Sequence, residues 1–417
     1  MKIPFTLFLL TFIFLSASYS VDSVAVRTCS SVAALQEKMA LDPEIAARRA
    51  TLDMAAQKWL EDNSSQRLSN SVITIPCVIF NLYHDSLDSL SYEQLTSQIA
   101  ALNKDFSNSN ADRLSSSHPY FSSMGNTTLQ FCLAERDPDG QATSGIIRQK
   151  VTNTFANKDH IKYSKDGGLD GWPSDKYLNI WVTKVNNATF LGQADFPGIY
   201  AEGSVHDGLI VQYNAFGTVG TLDGTFNKGR TATHEIGHWL NLNHIWGDEY
   251  CGDDKVSDTP VQEKENYGCP AFPHITCSNT PNGDMFMNFM DYVDDACMVM
   301  FTQGQANRML ATLNNSRSGI LSSGKCSGTT SIGQNGSSGW RIYPNPAQNY
   351  LYIEGLPVAG HPYFTVDFYT AMGQQVHTLQ LRAGENMLEM PALPNGTYVL
   401  HIHHGNFSGT HKVSITQ

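Results

Sequence analysis

The chain has 417 residues, too many for one ordinary hydrophobic core, so two or three domains are expected. Its hydrophobic content of 41% is that of a globular protein. The net charge of −12, from 27 basic and 39 acidic residues and with no lysine/arginine run, argues against a nucleic-acid binder.

The chain opens "MKIPFTLFLLTFIFLSASYS": Lys2, an apolar run from Phe5 to Leu15, then small residues. This reads as a secretory signal peptide over 1–20 with cleavage near Ser18 to Ser20. The run is shorter than the roughly 20 residues that span a bilayer, and no second apolar run of that length follows. No stable membrane span is therefore expected. Residues 21–70 form a separate segment, with helical periodicity from Val32 to Trp59 and then a polar link, "QKWLEDNSSQRLSNS".

From Val72 the texture changes. "VITIPCVIFNLYH" reads as a buried strand, "SYEQLTSQIAALNKDFS" (91–107) as an amphipathic helix with Leu95, Ile99 and Leu102 on one face. Further strands are expected in "TTLQFCLAE" (127–135), "KYLNIWVTKV" (176–185) and "DGLIVQYNAFG" (207–217), followed by the helix "GRTATHEIGHWLNL". Strands and helices alternate, so an α/β domain with a central twisted sheet is expected. Residues 251–297 are rich in glycine, proline, asparagine and aspartate, and "TQGQANRMLATLNNSR" (302–317) is a closing helix. Residues 318–340 have the composition of a flexible linker, and 341–417 carry short strands near ten residues apart, which predicts a small β-sandwich.

The eight cysteines are Cys29, Cys77, Cys132, Cys251, Cys269, Cys277, Cys297 and Cys326. Four lie between 251 and 297 with no C-x-x-C pair, which favours disulfides over a second zinc site. Cys77 and Cys132 lie on strands that can be neighbours, as buried thiols or as a bridge.

The chemistry concentrates in "TATHEIGHWLNLNHIWGD" (231–248). His234 and His238 are four apart, so a helix stacks them on one face. Imidazole nitrogens suit zinc at roughly 2.0–2.1 Å, and Glu235 beside them is free to act as general base. His244 becomes a third ligand only if the chain turns sharply after Leu240. That turn calls for a positive φ at 241, where asparagine is the best residue after glycine, at a cost of about 1 kcal/mol. Three histidines leave a fourth position for water, the mark of a catalytic rather than a structural site.

"HEIGHWLNLNH" resembles the extended zinc motif of the metzincin metallopeptidases, and "NFMDYVDDACM", "VSDTP" and "GCP" resemble the pappalysin family within that clan. Asn241 in place of the motif's glycine is the main departure. The resemblance implies an α/β metzincin catalytic domain over 71–317: a twisted mixed sheet with an active-site helix, and a loop-rich lower subdomain. It implies zinc on His234, His238 and His244, Glu235 as general base, Tyr292 as oxyanion stabiliser and Met290 as the Met-turn methionine. It also implies the disulfides Cys251–Cys277 and Cys269–Cys297, and a propeptide over 21–70.

Asp253, Asp254 and Asp258 with Thr259 make a hard-oxygen cluster that suits calcium or, alternatively, an acidic turn with capping aspartates. The resemblance implies structural calcium with Asp254 and Thr259 as ligands. Asp294 and Asp295 are candidates for the specificity pocket, and related pappalysins favour basic residues beside the scissile bond. Cys29 in "VRTCSS" can place a thiolate on the open zinc position, a cysteine switch; pairing with Cys326 or a free thiol are the alternatives. Activation would follow cleavage of the polar link, near Arg67.

The tail pieces "YPNPAQNYLYIEG", "YTAMGQQV" and "LPNGTYVLHIHHG" resemble the C-terminal sorting domain of the type IX secretion system of Bacteroidetes. In "HIHHG", His401 and His403 share a strand face while His404 points away; two imidazoles on one face are a poor metal site, and an exposed hairpin is expected instead. The expected function is a secreted or cell-surface bacterial zinc endopeptidase acting on proteins or peptides, latent until propeptide removal, with the secretion machinery as partner of the tail. An adhesion module without turnover is the competing class, and the presence of Glu235 and all three histidines disfavours it.

Overall fold

A computed structural model of the protein describes residues 27–63, 72–152, 154–155, 158–187, 189–326, 341–354, 363–370, 374–382, 385–404 and 407–416. The expected signal peptide, the link at Arg67 and most of the expected linker lie outside the described residues.

The N-terminal segment is two helices, α1 (Ser31–Leu41) and α2 (Glu44–Asn63), where periodicity alone read one. Pro43 supplies no backbone N–H and disfavours helical backbone at Asp42 before it, which is extended at φ −134°. Leu35 and Ile45 from these helices pack with Phe196 and Ile199 of the catalytic body.

The central sheet has β1 (Ile73–Tyr83) and, after α3 (Tyr92–Phe106), β2 (Leu129–Leu133), β3 (Ile146–Lys150), β4 (Leu178–Thr183), β5 (Gly192–Ala194) and β6 (Gly208–Gln212). The order is β2-β1-β4-β6-β5, with β3 also paired to β1. β2 pairs residues 73–77 of β1 and β3 pairs 79–83, so the two share one edge in succession. All pairs are parallel except β5 with β6, which is antiparallel, so β5 is a reversed edge strand. Strands buried on both faces read as continuous apolar runs. One face carries Ile75, Ile79, Ile180, Val182 and Leu209 against Leu95 and Leu102 of α3 and Ile236 of the next helix. The opposite face carries Val78, Phe80, Trp181 and Ile210 against Ile161 and Tyr177. β3 and β5 were not foreseen: each is short, and β5 contains no branched or aromatic residue.

The active-site helix α4 (Arg230–Trp239) follows β6, and α5 (Gln303–Asn315) closes the domain with a capping box of Thr302 and Gln305. Between them residues 240–302 hold few regular elements and are stapled by Cys251–Cys277 and Cys269–Cys297. Residues 318–326, which composition assigned to the linker, are packed: a 3-10 helix spans Ser318–Ser322, Ile320 is buried, and Cys326 bonds Cys132. Cys77 is a buried free thiol, one position from Cys132 in the β1–β2 register.

The tail forms two antiparallel sheets around a core of its own. β7 (Arg341–Tyr343), β8 (Tyr350–Glu354) and β11 (Met387–Glu389) make the smaller; β9 (Tyr363–Thr370), β10 (Gln375–Arg382), β12 (Gly396–His404) and β13 (Phe407–Ile415) make the larger. No helix among the described residues is long and apolar enough to cross a membrane.

α4 is anchored from behind by one buried ion pair. Arg317 donates to the Trp239 carbonyl at 2.7 Å and to Asp207 Oδ2 at 2.7 Å, and its guanidinium lies 3.9 Å from the Trp239 ring centroid. Trp239 Nε1 donates to the same Asp207 at 3.0 Å. Arg317→Ala strands a buried carboxylate, and a loss of about 3–5 kcal/mol is expected. The catalytic domain's urea midpoint should fall accordingly, with Arg317→Lys intermediate. An unchanged midpoint would mean that the pair does not hold the helix.

Candidate metal centre

α4 buries all ten of its residues, and its backbone ends in a chain reversal. The Leu242 amide donates to the Gly237 carbonyl and the Asn241 amide to the His238 carbonyl, both at 2.9 Å. This is the Schellman arrangement, which needs a left-handed residue after the helix end. Asn241 fills it at φ 70°. The reversal carries His244 back beside the helix, with its Nε2 3.0 Å from that of His238.

Each of the three imidazoles is oriented by a bond at Nδ1. His234 Nδ1 donates to the Phe289 carbonyl at 2.7 Å, His238 Nδ1 to the Leu242 carbonyl at 2.8 Å, and His244 Nδ1 faces Asp248 Oδ1. Such outer bonds fix the tautomer and leave Nε2 as a lone pair for a metal. Burial, and then the neighbouring imidazoles, push His234 and His238 well below the usual histidine range, which keeps them neutral. His234 Nε2 is buried with no protein partner. One ligand atom from each histidine and the Cys29 sulfur all lie within 4.8 Å of one another. Three gathered imidazoles, one with an orphaned buried nitrogen, fit zinc.

The floor of the site is Met290, fully buried. Gly237 makes room for it: a Cβ there would meet Met290 Sδ at 2.4 Å. Asn288 Oδ1 accepts from the Met290 amide at 2.9 Å, and the Met290 carbonyl accepts from Ile245 at 3.2 Å. Tyr292 stands edge-on to His244, ring centroids 4.9 Å apart, and Trp246 stacks on His244 at 4.3 Å. Glu235 is buried, and that burial pushes its carboxyl up to about 7.

The cleft holds the chain's own residues 27–31. Cys29 forms a parallel bridge to Gly192 of β5, and the Ser30 amide donates to the Gly192 carbonyl at 3.0 Å. The Tyr292 hydroxyl donates to the Cys29 carbonyl at 3.3 Å. Ser31 Oγ donates to Glu235 Oε2 at 2.6 Å. Arg27 donates to Asp295 Oδ1 at 2.5 Å, to the Val293 carbonyl and to Thr231 Oγ1, with Phe226 beneath its guanidinium. Asp295 therefore lies at the base of a side-chain pocket, while Asp294 is half-exposed and its amide donates to Gly268. A cavity of about 710 Å³ lies elsewhere, lined by residues that include Tyr92, Phe131 and Tyr343.

The acidic loop divides. Asp254 Oδ1 accepts from Thr259 Oγ1 at 2.7 Å and from the Val256 amide at 3.0 Å, while its buried Oδ2 has no protein partner. Asp258 instead accepts from Thr302 Oγ1 and the Gly304 amide, at the start of α5. Asp253 accepts from the Lys255 amide.

Four site residues escaped the sequence reading, Ser31, Asp248, Asp291 and Gly192, and so did the pairing of Arg27 with Asp295. Asp248 alone left a local trace, a carboxylate four residues after His244. Asp291 is buried behind the Met-turn and accepts from Gln262 Nε2 and from the Asn266 and Tyr292 amides. Its partners are 25 or more residues away in sequence, apart from Tyr292.

Residues 162–314 match the peptidase M43 family, described as pregnancy-associated plasma protein-A, and 341–416 match the secretion system C-terminal sorting domain. A promirolysin mutant from Tannerella forsythia is similar in structure: TM-score 0.64, 38% identity, covering 71% of this chain and 97% of that one. Mature mirolysin from the same organism, in complex with a cleaved peptide, gives 0.58 and 42% over 60% of this chain and 96% of that one. An extracellular metalloprotease of Colletotrichum graminicola is 39% identical over 138 residues, 32% of this chain and 49% of that protein. The chain spans about half the length of the curated relatives it matches. With its three gathered histidines and its tail, the chain belongs to the peptidase M43, or pappalysin, family of metalloproteases and ends in a secretion-system sorting domain.

Proposed function

We propose that this protein is a zinc endopeptidase, exported through its tail, that cleaves beside basic residues and is held latent by residues 21–70. One observation carries the reading: residues 27–31 lie in the cleft, with Arg27 on Asp295, Cys29 against the imidazoles and Tyr292, and Ser31 on Glu235. Zinc on His234, His238 and His244 would supply Lewis-acid activation of water. Glu235 accepts the proton of the attacking water and passes it to the leaving amine, a task suited to a carboxyl poised near neutrality. Tyr292 donates to the carbonyl oxygen of the scissile bond, as its hydroxyl does to the carbonyl of Cys29. The edge strand β5 binds the peptide backbone by strand addition.

Asp295 is the specificity group. It is fully buried and receives the Arg27 guanidinium, as it would a basic substrate side chain. The activated enzyme should cleave peptide libraries next to arginine or lysine and lose all casein hydrolysis in Glu235→Ala or with a chelator. Asp295→Asn should lower kcat/KM for arginine peptides by at least about tenfold, or ~1.4 kcal/mol. A library profile without basic preference would sink the specificity claim, and casein hydrolysis surviving Glu235→Ala would sink the mechanism.

Latency rests on two anchors. Cys29 brings its sulfur among the three imidazoles. At the far side Asn241 donates to Asp53 at 2.9 Å and accepts from Arg49 at 3.3 Å, both on α2. Cys29→Ala should give activity in the full chain before any cleavage. Asn241→Gly keeps the left-handed turn and should retain zinc, yet activate faster than the parent under the same protease. Unchanged latency in Cys29→Ala would reject the switch.

Asp254 and Thr259 would hold a structural calcium ion, for which the unpartnered buried Oδ2 is the support. Burial pushes Asp254 up to about 7. A carboxyl raised on folding stabilises the protein only while protonated, so without a cation stability falls as pH rises from about 4 through 7. Calcium reverses that penalty. It should raise the melting temperature more at pH 8 than at pH 5, and Asp254→Asn should abolish the difference. No calcium effect at pH 8 would remove the ion from this loop.

A further inference from the structure

We propose that Asp367, His401 and His403 form a second transition-metal site, on the outer face of the tail's four-stranded sheet. The register builds it. β12 pairs with β9 so that His401 lies directly opposite Asp367 and His403 opposite Thr365. The intervening Leu400 and Ile402, with Val366 and Phe368 across from them, are buried in the tail's core. Strand alternation therefore puts 367, 401 and 403 together on the other face. Two imidazoles on one strand are a weak set; the third ligand comes from the neighbouring strand and is invisible to local sequence.

The geometry is that of a gathered site. One ligand atom from each residue lies within 4.8 Å of the others. Tetrahedral zinc at 2.0–2.1 Å from its ligands sets them about 3.3 Å apart, a small side-chain adjustment away. His403 Nε2 lies 3.0 Å from Asp367 Oδ2, and the His401 and His403 rings stack with centroids 4.9 Å apart. Asp367 is only 7% exposed although it faces outward. Its Oδ1 accepts from Gln375 Nε2 at 2.9 Å and Thr378 Oγ1 at 2.6 Å, which orients Oδ2 toward the imidazoles. Such outer bonds to a carboxylate are what position a metal ligand. Two nitrogens and one carboxylate oxygen select zinc, nickel or copper over calcium and magnesium. The His403 side chain is 41% exposed, so water can complete the coordination.

The test uses the full chain carrying Glu235→Ala, which keeps the three catalytic histidines and avoids self-cleavage. After equilibration with buffered zinc and desalting, elemental analysis should find two zinc ions per chain. His403→Gln, which can still hydrogen-bond Asp367, should lose one, as should His401→Gln. The readout is the difference between parent and variant, so it stands even if the catalytic centre binds no zinc. Equal zinc content in parent and both variants overturns the site. Should the variants fail to fold, diethyl pyrocarbonate labelling of the parent chain gives the same decision. Zinc should protect His401 and His403 from modification, and labelling unaffected by zinc refutes the proposal.

Discussion

The reversal at Asn241 is the constraint on which the centre depends. A straight helix past Leu240 would carry His244 away from His234 and His238. The left-handed residue turns the chain, and the same turn delivers the Leu242 carbonyl to His238 Nδ1. One backbone conformation thus places the third histidine and orients the second. The Asn241 carbonyl accepts in turn from Arg308 Nε of α5 at 2.7 Å. The turn, the closing helix and the metal centre are therefore one mechanical unit, and strain at 241 would reach all three.

Asparagine also does at 241 what glycine cannot. Its amide binds both Asp53 and Arg49, and Asp53 receives Arg308 as well. A departure from the family motif that looked like a tolerated cost is thus an attachment point for the N-terminal helices. The small cost of a positive φ, about 1 kcal/mol, is offset by two side-chain hydrogen bonds, each worth roughly the same.

How much was legible follows the range of the interactions. The α/β class, the helix α4 and the strands β1, β4 and β6 were legible because burial on both faces writes itself as runs of Ile, Val and Leu. The three histidines and Glu235 were legible because their spacing is local. β5 was not: three residues, Gly192 to Ala194, act through backbone bonds, and Gly192 is small because a Cβ would meet Glu235 at 2.5 Å. Nor was the role of Arg27, which finds Asp295 across 268 positions. The linker boundary was misread because "SGILSSGKC" has linker composition, yet Ile320 and Cys326 are each fixed by partners far upstream.

The occupied cleft raises the question of why a protease of this design would not cut its own residues 27–31. The answer lies in what each residue displaces. On the proposed reading, Cys29 would take the position by the imidazoles that water needs, while Ser31 spends its hydroxyl on the proposed general base Glu235. The segment lies parallel to the edge strand β5 and therefore antiparallel to β6 and the rest of the sheet. Arg27 meanwhile supplies the binding energy of a basic side chain on Asp295, deep in the pocket and screened from water. On that proposal, affinity would come from the contact that a substrate would make, and inertness from filling the two positions that chemistry requires. The two are separable, because they reside in different side chains of one five-residue stretch.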